Sequence, residues 1–216
     1  DLSYIESVFE KVLELNDRNE SCTFVIKSTV PVGTTERLNK LYKYKIKIIH
    51  SPEFLTARTA VTDFICPSRH IIGGHSVRGT NKLEKIYKLR FPGVPCFSMT
   101  SDESEFIKYF ANCFFATKVS FFNEMRVFCD KKGLDWNNVI DGVMSDGRIG
   151  ISHFQVPGFD GQLGFGGTCF PKDINALIKT FQESDIDPLI LSAAWKRNTL
   201  VRKHKDWEDH ASAVTG

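Results

Sequence analysis

The sequence predicts an α/β part followed by an all-α part, and three observations carry that expectation. Up to about residue 100, short β-branched and apolar runs alternate with amphipathic stretches across short connections, the pattern of a parallel sheet covered by helices. Beyond it, from Thr100 to Lys132, nothing breaks a helix until Gly133. No further strand run follows; glycine-rich loop and helical periodicity fill the rest. The first part has the look of half a doubly wound, Rossmann-like domain, with a sheet incomplete at its N-terminal side.

Each element has a local reason. Leu2, Ile5, Val8, Phe9, Val12 and Leu13 recur at helical spacing, which predicts an amphipathic helix at the start. TFVIKSTV (23–30), closed by Pro31 and Gly33, reads as a strand, as do KIKIIH (45–50), HIIGG (70–74) and GVPCFSM (93–99). TTERLNKLY (34–42) and NKLEKIYKL (81–89) read as helices between them. Thr100 and Glu103 stand at capping-box spacing, opening the long helix that Gly133 ends. Seven of the eighteen phenylalanines fall between Phe106 and Phe128, so this helix is expected to be buried on several sides. DWNNVIDGV (135–143) is a second helix. PKDINALIKTF (171–181) is a third, with Pro171 as its first residue. LILSAAWKRNTLVRKHKDW (189–207) is a fourth, capped by Asp187 with Pro188 at the first helical position. The expected domains are 1–100 and 101–208, with a frayed tail at 209–216.

Composition narrows the function. Lysine and arginine exceed aspartate and glutamate by only two, without blocks of like charge, which points away from a nucleic-acid backbone or an anionic membrane as partner. The six cysteines show no C-x-x-C pair, which speaks against a disulfide framework and a zinc ribbon and for reduced thiols in a cytoplasmic setting. The first residues do not read as a signal peptide, and no apolar run approaches the ~18 residues of a membrane span.

Three constellations carry chemistry. In GFGGTCFPKDINAL (164–177), Cys169 lies between a glycine-rich loop and the start of a helix, where unpaired amides and the helix dipole favour an anion such as a thiolate. The alternative is a buried cysteine beside a tight turn. Lys108 and Asn112, four apart in EFIKYFANCFF, share one face of a phenylalanine-rich helix. There each needs a hydrogen-bond partner or a ligand; reach to solvent and a tie to backbone would also satisfy them. Thr29 and Glu53 close two strands, at the ends where parallel α/β folds gather ligands, although such residues are often only turn formers. GHSVRGT (74–80) lacks the lysine of a phosphate loop, and Cys66, His70 and His75 match no common metal spacing. No metal is expected.

VIKSTVPVG, SPEFLTARTAVTDF with PSRHIIGG, FIKYFANCFFATKVSFFNEM, GRIG and GFGGTCFPKDINAL occur in order along nearly the whole chain. In this the sequence resembles the UDP-glucose/GDP-mannose dehydrogenase family. The resemblance implies oxidation of a UDP-sugar, expected to be UDP-glucose giving UDP-glucuronate, with two NAD. Cys169 is then the nucleophile that holds the aldehyde as a thiohemiacetal and the acid as a thioester. Lys108 stabilises the alkoxide beside Asn112. Asp173 and Thr29 orient water, and Glu53 is the base for thioester hydrolysis. Phe54, Leu55, Phe165 and Gly166 match substrate-cradling positions, Arg148 an arginine reaching substrate from the other subunit of a homodimer built on the long helix, and Ser28 and Lys172 cofactor contacts.

The departures are equally specific. The family's G-x-G-x-x-G turn for NAD and its acidic ribose partner do not occur in this sequence, and Ala57 replaces a glutamate often found four residues after Glu53. The expectation is therefore a fragment or split enzyme, lacking the Gly-rich turn and a C-terminal UDP-binding domain, that depends on a second polypeptide. An inactive dimerisation module, or a GDP-mannose or UDP-N-acetylmannosamine dehydrogenase, are the alternatives.

Overall fold

The computed structural model of the chain describes residues 2–15, 22–42 and 46–209. The expected tail at 209–216 and the start of the strand at Lys45 lie, apart from Asp209, outside the described residues. The chain divides into two compact units, residues 1–108 and 109–216.

The first unit runs α1 (Ser3–Leu15), β1 (Thr23–Ile26), α2 (Thr34–Leu41), β2 (Lys47–His50), a 3₁₀ turn (Ala57–Thr59), α3 (Ala60–Ile65), β3 (His70–Gly73), α4 (Val77–Arg90) and β4 (Cys96–Met99). The sheet order is β1-β2-β3-β4. β1 and β2 run parallel, with Phe24 opposite Ile48, and β3 and β4 run parallel, with Ile71 opposite Phe97. The α/β class is as expected, but the sheet is mixed: β2 meets β3 antiparallel through the single pair His50 and Gly73. Residues 51–69 hold no helix long enough to cross the sheet and return the chain in the same direction, so the strand comes back reversed.

β2 is covered on both faces. Ile48 belongs to the cluster of Phe9, Ile26, Val30 and Leu38, while Ile49, pointing the other way, packs with Ile72 and Leu83. β1 is shorter than its apolar run. Its ladder ends where the Ser51 amide donates to the Ile26 carbonyl at 2.9 Å, and Pro52 has no N–H to carry it further. Residues 27–30 therefore leave the sheet as a loop. In α4 the glycine spacing of GHSVRGT serves a helix start, Ser76 Oγ accepting from the Gly79 amide at 3.2 Å.

α5 (Ser101–Lys132) crosses the division between the units. Its capping box forms as expected: the Thr100 amide donates to Glu103 Oε2 at 2.8 Å and the Glu103 amide to Thr100 Oγ1 at 3.3 Å. Gly133, at φ 66°, turns the chain out of the helix. The second unit continues with α6 (Trp136–Met144), capped by Asp135, then α7 (Cys169–Glu183), α8 (Leu189–Val201) and a 3₁₀ turn at Asp206–Asp209. Tyr109, Cys113 and Ala116 of α5 pack on Phe165, Ile174, Leu177 and Ala194; Phe122 and Cys129 pack on Trp136, Ile140 and Val156.

Three expectations are corrected. α7 begins at Cys169 rather than Pro171, because the first-turn amides of a helix have no intrahelical partner and a proline is tolerated at any of them. α8 starts one residue later than expected, with Pro188 at the cap and no side-chain cap from Asp187, and it stops at Val201 because Arg202 turns extended. The α5 phenylalanines are not enclosed: Phe110, Phe114, Phe121 and Phe128 are more than half exposed. Spacings of four, seven and seven residues set them along one side of the helix, away from Tyr109, Cys113 and Ala116.

Candidate active site

In the first unit, the loops that follow β1 and β2 are tied to the opening turns of α5. The Glu105 carboxylate, fully buried, accepts from the Gly33 amide at 2.6 Å and from the Thr35 amide and hydroxyl at 2.8 and 2.6 Å, sitting at the N-terminus of α2. Burial pushes its pKa above the usual carboxylate value, against the three hydrogen bonds that favour the anion. His50, also fully buried, lies between Ser104 Oγ and the Ser28 carbonyl. Lys108 is 6% exposed, and its Nζ donates to the Glu53 carbonyl at 2.7 Å. The same ammonium stands 5.3 Å from the centre of the Phe54 ring, which also receives the Arg69 guanidinium at 4.3 Å. Glu53 folds its carboxylate back onto the Leu55 amide at 2.7 Å. Phe54 and Leu55 line a cavity of ≈ 380 Å³ with Lys27, Arg69 and Tyr87. Ser28 is exposed and Thr29 half-buried just past the end of β1.

In the second unit, Asn112 and Asp173 meet. Asn112 Nδ2 donates to Asp173 Oδ2 at 2.6 Å, Lys172 pairs with the other carboxylate oxygen, and Asp173 is 1% exposed. Cys169 and Asp173 stand four apart, hence on one face of α7. Cys169 is exposed, its Sγ 3.9 Å from Thr168 Oγ1, so the buried-cysteine alternative does not describe it. It does describe Cys113, whose thiol points at the Asp173 carbonyl and is pushed up to about 12 by burial first and by the Asp173 charge second. Of these two sulfurs Cys169 is the exposed one.

The glycine loop ahead of Cys169 is held by side chains. The Gly164 amide donates to Asn123 Oδ1 at 2.8 Å, and the Gly167 amide to Asp206 Oδ2 at 2.8 Å. A Cβ on Gly166 would stand 2.2 Å from Arg202 Nη2 and 2.3 Å from Asp206 Oδ1, so a side chain there requires that ion pair to shift. Phe165 packs its ring on Trp195 and Phe170 inside the core. Arg148 lies apart from this cluster, exposed on the loop after α6, its guanidinium forked onto Asp146 at 2.8 and 2.5 Å; that bond holds Asp146 below the usual carboxylate range.

The residues proposed from sequence thus fall into two groups: Ser28, Thr29, Glu53, Phe54, Leu55 and Lys108 in one unit, and Asn112, Phe165, Gly166, Cys169, Lys172 and Asp173 in the other, which also holds Arg148, paired with Asp146. Sequence reasoning missed His50, Glu105, Asn123 and Asn198. Each is a buried polar residue, and their sequence neighbours share no pattern that marks them. Among the described residues no group of three or more His, Cys, Asp or Glu side chains could hold a metal ion, and no helix is long and apolar enough to cross a membrane.

Two sequence profiles match the chain: the NAD binding domain of the UDP-glucose/GDP-mannose dehydrogenase family over residues 1–90, and the central domain of the same family over residues 102–199. The UDP-glucose 6-dehydrogenase of Pseudomonas aeruginosa is 38% identical over 208 residues, covering 92% of this chain and 44% of that protein. That of Rickettsia conorii is 38% identical over 201 residues, covering 92% and 45%. Among solved structures, a UDP-glucose dehydrogenase from Pyrobaculum islandicum superposes with a TM-score of 0.75 at 35% identity, over 82% of this chain and 41% of that one. A UDP-D-ManNAc dehydrogenase from Pyrococcus horikoshii superposes with a TM-score of 0.76 at 26% identity, over 92% and 46%. The chain spans less than half the length of these relatives.

Proposed function

The chain belongs to the UDP-glucose/GDP-mannose dehydrogenase family, and from that premise we propose that it is the catalytic middle of an NAD-dependent UDP-glucose 6-dehydrogenase, with Cys169 as nucleophile. The observation that carries this reading is the place of Cys169: an exposed thiol opening α7, one turn from a buried aspartate held by an asparagine and a lysine.

NAD, when bound, takes up a hydride at each of two oxidations of the sugar C6. Ser28 stands exposed at the carboxyl end of β1, where a parallel sheet receives a nucleotide. The pyrophosphate grip comes from polypeptide outside this sequence, which holds no G-x-G-x-x-G turn. Lys108 neutralises the alkoxide left when the C6 hydroxyl gives its proton to water. The Cys169 sulfur then adds to the aldehyde carbon, forming a C–S bond and placing negative charge on oxygen; the second N–H of Asn112 Nδ2 and the N-terminus of α7 favour that charge. After the second oxidation the C–S bond is a thioester. Asp173 and Thr29 orient a water, Glu53 takes its proton, the water oxygen bonds to carbon, and the sulfur leaves with the bonding pair. Ser28 and Lys172 are assigned to cofactor contact. Phe54, Leu55, Phe165 and Gly166 are assigned to the sugar nucleotide, with Phe165 acting by holding the loop. Arg148 is assigned to substrate across a homodimer.

The exposed stripe of Phe110, Phe114, Phe121 and Phe128 favours that homodimer through α5, since so many exposed rings on one helix face are unusual for a monomer. The likeness to a UDP-D-ManNAc dehydrogenase keeps UDP-N-acetylmannosamine as the second candidate substrate. The test supplies the missing half: the chain, joined to or mixed with a strand-turn-helix carrying G-x-G-x-x-G and a nucleotide-sugar domain, is given UDP-glucose and NAD⁺. Two NADH per UDP-glucose are expected, and no more than one, with no UDP-glucuronate, from Cys169→Ala. Absence of NADH in every pairing defeats the reading.

A further inference from the structure

The last residue of β2 is a histidine that follows Ile48 and Ile49, and no part of it reaches solvent. Both ring nitrogens are engaged: His50 Nδ1 is 2.8 Å from Ser104 Oγ, and Nε2 is 3.2 Å from the Ser28 carbonyl oxygen. A carbonyl can only accept, so Nε2 carries the hydrogen. In the neutral ring Nδ1 then accepts from the Ser104 hydroxyl, and the hydrogen bonds run in one direction, from α5 through the imidazole to the main chain of Ser28.

We propose that His50 is a positioning residue that fixes the Ser28–Thr29 backbone against the first turn of α5. This rests on the functional reading above, in which Ser28 and Thr29 face cofactor and water. The reason lies in how the segment is anchored. The β1 ladder ends at Ile26, and the next buried point of the chain is Val30. Between those anchors the main chain is held through His50. Beyond them Glu105 grips Gly33 and Thr35. Two adjacent residues of α5, Ser104 and Glu105, thus set the loop from both sides. An apolar residue at position 50 would fill the space and leave the Ser28 carbonyl without this donor.

NMR on the chain by itself tests this without cofactor. The ¹⁵N shifts of the His50 ring are expected to report hydrogen on Nε2; hydrogen on Nδ1 alone overturns the proposal. In wild type, the amides of Ser28 and Thr29 are expected to show order parameters near the rigid value of about 0.85, falling below about 0.6 in His50→Asn, which withdraws the donor from Ser28. His50→Gln, whose amide reaches the Nε2 position, is expected to restore them, with Ile71 to Gly73 unchanged throughout. Equal order in wild type and His50→Asn overturns the proposal, as does loosening that extends equally into β3. Should His50→Asn fail to fold, Ser104→Ala must loosen the same two residues, and no change there overturns it.

In the complemented protein, His50→Asn is expected to raise KM for NAD⁺ more than it lowers kcat, and His50→Gln to reverse this. Unchanged KM with a loosened loop overturns the link to cofactor. A wild-type protein that makes no NADH defeats the functional reading instead, while the order parameters still decide the role of His50.

Discussion

Asn198 holds both main-chain polar groups of Phe165: its Oδ1 accepts from the Phe165 amide at 2.7 Å and its Nδ2 donates to the Phe165 carbonyl at 3.0 Å. Asn198 itself is fully buried. The loop that delivers Cys169 to the start of α7 is thereby fixed from α8 through its main chain, beside the core packing of the Phe165 ring.

Replacing Asn198 by alanine leaves a buried N–H and a buried carbonyl unpaired, so Asn198→Ala is expected to lose about 2–4 kcal/mol of stability. Urea unfolding measures it as a lower midpoint at unchanged slope. A loss within the roughly 0.5 kcal/mol of an ordinary surface change contradicts the clamp.

Gly166→Ala drives a methyl group into the Arg202 and Asp206 pair. The guanidinium, otherwise bonded to Asp160 and the His204 carbonyl, must shift, and the expected cost is about 1–3 kcal/mol. In the complemented protein Gly166→Ala is expected to slow turnover as Cys169 moves; a variant as stable and as active as wild type shows that the loop yields.

His50 gives a pH signature. Burial first, then the charges of Lys27 and Lys108, hold its pKa at about 4, against the Ser28 carbonyl, which favours the protonated ring. The folded value lies below the unfolded one, so its contribution to stability is complete above pH 6.5 and is lost as pH falls from 6.5 through 4. Over that window wild type is expected to lose roughly 3 kcal/mol more than His50→Gln, which has no proton to gain. Glu105, raised by burial, works in the opposite sense but is present in both proteins and cancels in the difference. Parallel stability curves for the two proteins contradict the assignment.

The phenylalanine stripe of α5 is expected to make the chain a dimer in sedimentation at micromolar concentration. Phe121→Glu, with Phe121 58% exposed, leaves the fold intact and yields a monomer. A monomeric wild type contradicts the homodimer.

What the sequence made legible was local. The ends of α5 follow from Thr100, Glu103 and Gly133, whose signals act within one turn, and β1, β2, β3 and β4 each contain an apolar core of the expected run. The direction of β3 was not legible, because it depends on what residues 51–69 fail to contain. The phenylalanine count revealed an apolar helix, yet a count says nothing of which rings find neighbours. α3 was missed altogether, its six residues being too short for periodicity to show.

For the candidate site, the motifs pointed to Cys169, Lys108, Asn112 and Asp173, and the structure adds that Asn112 and Asp173 are hydrogen-bonded. The supports of these residues were hidden for one physical reason: their partners are remote in sequence. Glu105 bonds to Gly33 across 72 positions and His50 to Ser104 across 54, and no local pattern encodes such a pairing.

The central claim is covalent attachment of substrate to Cys169, and it is tested most directly by weighing the peptide that carries it. The complemented protein is mixed with UDP-glucose and NAD⁺, quenched in acid during turnover and digested. The Cys169 peptide is expected to carry a UDP-glucuronyl group that hydroxylamine removes. NADH production with an unmodified Cys169 at every quench time, or sustained turnover to UDP-glucuronate in Cys169→Ala, contradicts it.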